Sequence, residues 1–139
     1  MSNDEKTETK EPMAGLTLRF VKLIVRDITR MQTFYEKVCG FKFAAQASFE
    51  QAEEVILDLP SGGVSLVLYR WKDEREITLG NNHGPIVFLT SDVDGYYHRA
   101  LSAGANELKK PFNVGTIRAA FVKDPEGHEL EFAHLGDAF

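Results

Sequence analysis

An internal repeat constrains this chain more than any other feature. LTLRFVKLIVRD, residues 16 to 27, is apolar and β-branched enough for a strand. Asp27 suits a helix N-cap, and in ITRMQTFYEKVCG the apolar residues Ile28, Met31, Phe34, Tyr35 and Val38 recur at helical spacing. Gly40 ends that helix and FKFAAQ opens a strand. EEVILDLP and VSLVLYRW supply two more strands around Ser61-Gly62-Gly63. The second half repeats the order. PIVFLTSD is a strand ending at Asp92, VDGYYHRALSAG a helix closing at Gly104, ANELKKP a weaker extended piece, and TIRAAFVKD with HELEFAHL a hairpin around DPEG. Each half is therefore strand, helix, then three strands. Such a repeat implies that neither half buries its sheet face alone.

At 139 residues the chain is long enough for one domain with a real core. The expected organisation is a polar, disordered tail over 1–13 and a single domain over 14–139, with modules at 16–70 and 84–135. Formal net charge is -5, which argues against nucleic acid or an anionic membrane as the main partner. No apolar run approaches the ~20 residues of a membrane span, and MSNDEKTETKEP lacks the apolar core of a signal peptide. One cysteine, Cys39, precludes an internal disulfide and fits a reducing cytoplasm. It reads as a small buried residue at a helix end.

The strands are apolar on both sides. Phe20, Lys22 and Ile24 share one face, and Val21, Leu23 and Val25 the other. One face must pack on the helices while the other lines a cavity. The expected class is α+β: two βαβββ modules forming a curved mixed sheet around a cavity, with the helices outside.

DITRMQTFYEKVCGFKF, SDVDGYYHRALSAGANELKKPF and VKDPEGHELEF, in that order, resemble the motifs of the vicinal oxygen chelate superfamily. That group includes glyoxalase I, bleomycin-resistance proteins, fosfomycin-resistance thiol transferases and extradiol dioxygenases. The resemblance covers residues 16 to 135 and implies paired βαβββ modules, a homodimer and, in the metal enzymes, four ligands on cavity-facing strands. Its ligand positions fall on Phe20, seven residues before Asp27; on Leu66, within a register error of one or two; on Pro85, seven before Asp92; and on Glu131. Only Glu131 offers a donor. A protein-held divalent metal needs roughly three side chains, so no metal and no other cofactor is expected. His83 could join Glu131, making two; His98, His128 and His134 fit worse.

A tight DPEG turn would set Val122 opposite Glu129, Ala120 opposite Glu131 and Arg118 opposite Ala133, bringing Arg118 diagonal to Glu131. The pair would either neutralise two half-buried charges or orient a ligand. The inferred lining is otherwise apolar: Phe20, Ile24, Leu57, Leu66, Leu68, Pro85 and Val87, with Lys22 at the mouth and Trp71, Tyr69 and Phe112 near the rim. An apolar pocket with few polar groups is the usual form of a small-molecule site. The candidate ligand-binding residues are thus Phe20, Lys22, Leu66, Leu68, Trp71, Pro85, Arg118 and Glu131, with Glu131 the candidate catalytic group. The expected function is binding of a small, largely apolar molecule in a metal-free cavity. The alternative is a lyase, isomerase or transferase, either metal-free with Glu131 as general base or metal-assisted through a rearranged ligand set. A purely structural module is a third option with no positive feature beyond the charged tail.

Overall fold

The computed structural model describes residues 15–81 and 83–137; the tail expected over 1–13 lies outside the described residues. The first module runs β1 (Phe20–Ile24), α1 (Ile28–Cys39), β2 (Lys42–Ser48), β3 (Ala52–Asp58) and β4 (Ser65–Trp71). The second runs β5 (Ile86–Leu89), α2 (Val93–Ser102), β6 (Asn106–Val114), β7 (Ile117–Lys123) and β8 (Glu129–His134). Each module forms a four-stranded sheet, ordered β1-β4-β3-β2 and β5-β8-β7-β6. β1 pairs with β4, and β5 with β8, in parallel; the remaining pairs are antiparallel. This is the α+β pair of βαβββ modules read from the repeat. No helix among the described residues is long and apolar enough to cross a membrane.

Local chemistry sets the element ends. The Asp27 carboxylate accepts from the Arg30 amide at 3.1 Å, capping α1. At the other end Gly40 adopts φ 82°, and its amide closes on the Glu36 carbonyl. That left-handed conformation disfavours a side chain. Asp92 caps α2 through the Gly95 amide, also at 3.1 Å. α1 buries Met31, Phe34, Tyr35 and Val38; α2 buries Val93, Tyr97 and Ala100. Beneath them, Leu23, Val55, Leu57, Leu66 and Leu68 join Ala120, Val122, Leu130 and Phe132 in one continuous core.

This core corrects part of the sequence reading. Leu57, Leu66 and Leu68 lie on the helix-packed face and not on the open face. The residues of β4 that face away from the helices are Ser65, Val67, Tyr69 and Trp71, paired with Phe20, Lys22, Ile24 and Ala52. Ser65 to Leu68 are all buried, so the apolar pattern of β4 fixes no phase, and a slip of one residue exchanges the faces.

The DPEG hairpin is also one residue longer than a tight turn. Lys123 pairs with Glu129, so the loop spans residues 124 to 128 and includes His128. Phe121 therefore opposes Glu131, Val122 opposes Leu130 and Arg118 opposes His134. Gly127, at φ 103°, makes the reversal. The loop clamps the second module onto the first. Asp124, fully buried, accepts from the Tyr35 hydroxyl of α1 at 2.6 Å and from His128 Nδ1 at 2.8 Å. His128 Nε2 lies 2.9 Å from the Ile24 carbonyl at the end of β1. The Glu126 carboxylate accepts from the amides of Arg26 at 2.7 Å and Asp27 at 2.9 Å.

Candidate ligand-binding face

Alternation along β8 puts Leu130 and Phe132 into the core and Glu131 on the face turned away from the helices. Val87 flanks Glu131 on one side and Phe121 on the other. Among the described residues no group hydrogen-bonds or ion-pairs with its carboxylate. Partial burial raises the Glu131 pKa above the ordinary carboxylate value by removing some of the water that solvates the charge. The Phe121 ring stacks with Phe112 at 6.2 Å, and the Lys109 ammonium lies 4.1 Å from the Phe112 ring centre.

The open face of the first module is differently equipped. Lys22 pairs with Glu54 at 3.1 Å and lies over the Tyr69 ring. Tyr69 meets Trp71 edge-on at 5.1 Å, and the Arg75 guanidinium covers Trp71 at 3.7 Å. Phe20 is 45% exposed at the edge of its sheet, with Arg19 over its ring. Between the two sheets a cleft of about 350 Å³ is lined by Val21, Phe41, Leu66, Ile86, Val87 and Phe88. Leu66 thus borders open space only at this seam.

Of the residues named from sequence, Phe20, Lys22, Trp71 and Glu131 stand on the open faces, and Pro85 directly precedes β5. Leu66 and Leu68 belong to the core. The expected pairing of Arg118 with Glu131 does not form. Arg118 lies on the helix side and grips Asp94 of α2 through two hydrogen bonds, at 2.7 and 2.8 Å, with Asn113 at 3.1 Å. The extra loop residue, His128, is the cause: it shifts the register by one and turns Arg118 to the opposite face. Tyr69 and Phe112, expected near the rim, do stand on the open faces; sequence reading passed over Glu54 and Phe121, which the correct phase of the alternation would have found.

The four implied ligand positions become Phe20, Val67, Pro85 and Glu131, with Val67 replacing Leu66. Three have no donor atom. Among the described residues, no three His, Cys, Asp or Glu side chains cluster closely enough to hold a metal. The residues present do not fit a protein-held metal.

Residues 17–132 match the family model described as the Glyoxalase/Bleomycin resistance protein/Dioxygenase superfamily. The chain belongs to this superfamily. Among its relatives, the lactoylglutathione lyase of Neisseria meningitidis serogroup B is 27% identical over 124 residues, 84% of this chain and 89% of the relative. A probable lactoylglutathione lyase of Vibrio parahaemolyticus is 28% identical over 78% of this chain and 83% of its own. The fold is shared with a V278E mutant of Zea mays glyoxalase I, at TM-score 0.75 and 24% identity. That match covers 84% of this chain and 45% of the maize chain, so this chain spans less than half of it. It is shared too with the fosfomycin resistance protein FosX of Listeria monocytogenes, whose structure holds Mn(II) and sulfate. There the TM-score is 0.67 and identity 16%, over 88% and 93% of the two chains. Glu131 thus stands at an implied ligand position, while Phe20, Val67 and Pro85 offer no donor to a metal.

Proposed function

We propose that this superfamily member binds a small, largely apolar molecule on the open face around Glu131, without a protein-held metal. One observation carries the reading. Glu131 stands without a partner between Val87 and Phe121, in a row whose other residues cannot complete a metal site. A carboxylate left partly desolvated is poised to meet a polar group of an incoming molecule. The superfamily resemblance adds a second copy of the chain as cover. The apolar edge strands support it, since Phe20, Val21, Val87 and Leu89 are 45%, 36%, 49% and 65% exposed. The protein would then act as a homodimer, in the cytoplasm. Light scattering at working concentration should give twice the chain mass; a monomer throughout would remove the second copy from the reading.

Glu131→Gln keeps the shape of the side chain and removes its charge. Calorimetry with a fragment shown by NMR to shift Val87 and Phe121 should find affinity reduced by about 1–3 kcal/mol, or roughly 5- to 150-fold. Unchanged affinity with a lowered melting temperature would make Glu131 a purely structural residue. Elemental analysis should accompany the titration. About one transition metal per chain, lost in Glu131→Ala, would overturn the metal-free reading.

The second reading is catalytic, and the relatives named lactoylglutathione lyase favour it. Glu131 would serve as general base, a role helped by the upward displacement of its pKa. A lactoylglutathione lyase assay decides: activity abolished by Glu131→Gln would establish it, and inactivity of the intact protein would dismiss it.

A further inference from the structure

We infer that the open face around Glu131 selects molecules carrying a basic nitrogen, such as a protonated amine on an apolar body. The inference rests on the binding role assigned to that face and adds the charge of what it takes.

The balance of charge across the two open faces carries the argument. On the first module Lys22 and Glu54 neutralise each other at 3.1 Å. On the second, Lys109 lies in the row of Phe121 and Glu131, but its ammonium rests on Phe112. Lys123 sits across the hairpin from Glu129, the other carboxylate of β8 on this face. Arg118, the nearest guanidinium in sequence reading, points to the helix side and is held by Asp94. Asp58 of β3 also has no ion pair but accepts from the Ser65 hydroxyl, whereas Glu131 has neither a donor nor a cation among the described residues. A ligand ammonium would supply one. It would also meet the Phe121 ring directly opposite, and ring faces attract cations. A ligand carboxylate would face Glu131 across an apolar surface and be repelled. A neutral hydroxyl could donate a hydrogen bond but would leave the charge uncompensated. Apolar neighbours weaken competing hydration, so the difference between cation and neutral donor should be larger here than on an open surface.

The test uses three probes of one shape: benzylamine, benzyl alcohol and benzoate. Each is titrated at neutral pH, in physiological salt with a chelator present, into isotope-labelled protein and into Glu131→Gln. Benzylamine should shift the signals of Val87 and Phe121 and bind at least about 5-fold more tightly than benzyl alcohol, the scale of one added ionic contact. In Glu131→Gln that preference should disappear, because the amine loses more affinity than the alcohol. Equal binding of amine and alcohol at this face, tighter binding of benzoate, or a preference for amine that survives Glu131→Gln would overturn the charge selectivity and leave the face a binding site. If no probe shifts Val87 or Phe121, the binding role of the face falls, and the selectivity with it.

Discussion

Asp124→Ala should lose about 3–5 kcal/mol of folding stability, the cost of removing one partner from a buried ionic cluster. The Asp124 carboxylate is fully buried and accepts from four groups: the Tyr35 hydroxyl, His128 Nδ1 and the amides of Glu126 and His128. Alanine leaves the Tyr35 and His128 donors buried and unpaired, with the Glu126 amide partly buried beside them. Asp124→Asn keeps the volume and one acceptor oxygen, so its loss should be smaller. Urea unfolding of the three proteins gives the comparison; a loss below about 1 kcal/mol for alanine would mean that the loop contributes little to holding the modules together. The same cluster has a pH signature. The His128 ring lies between two acceptors, Asp124 at Nδ1 and the Ile24 carbonyl at Nε2, and only the doubly protonated ring donates to both. Burial pushes its pKa down, but the hydrogen bond and charge of Asp124, with the Ile24 carbonyl and Glu126, push it up and prevail. Tyr35 cannot reverse this: burial first, then Asp124, holds its pKa well above the usual phenol value, so it stays a donor. Because the folded pKa of His128 is raised above 6.5, its contribution is complete below that pH and is lost as pH rises through the folded value. The urea midpoint should therefore fall as pH rises above 6.5, and His128→Gln should abolish that part of the fall.

Phe132→Ala should cost about 3–5 kcal/mol, the usual range for removing a buried aromatic ring. Phe132 is 1% exposed on β8, a central strand of its sheet. Phe88 of β5 stacks on it at 5.9 Å and Tyr96 of α2 at 5.7 Å, so one ring ties a neighbouring strand to the helix. The ring also borders a cleft of about 310 Å³ beside Cys39 and Leu59, which truncation would enlarge. Phe132→Leu should recover part of the loss by refilling the site. A Phe132→Ala loss under about 1 kcal/mol would show that the neighbouring rings collapse into the gap.

The architecture was legible because its signals are local. Asp27, Gly40 and Asp92 mark helix ends by their own chemistry, and apolar spacing gives both helices. ANELKKP looked weak because β6 is an edge strand with mostly exposed residues; pairing with β7 extends it to nine residues. The site was less legible because it depends on parity. β4 is apolar on both sides, and nothing in its composition distinguishes Leu66 from Val67. In the hairpin, one residue joining the loop moved Arg118 to the opposite face and put Phe121 beside Glu131. His128 joins that loop through the buried Asp124 and the Ile24 carbonyl, a contact 104 residues away that no local pattern encodes.

That distance bears on the order in which the molecule assembles. The clamp joins residues 89 to 104 positions apart, whereas each β2-β3-β4 or β6-β7-β8 meander closes over short loops. Long loops close late, since their entropy is spent before any contact repays it. As the chain leaves the ribosome, β1 and α1 emerge long before Asp124. Until then the Ile24 carbonyl, the Tyr35 hydroxyl and the amides of Arg26 and Asp27 have only water as partner. Contacts that form last leave the folding rate nearly untouched and act on unfolding. The stability lost in Asp124→Ala should accordingly appear as faster opening of the two halves, which makes a five-residue loop the timer of the native state.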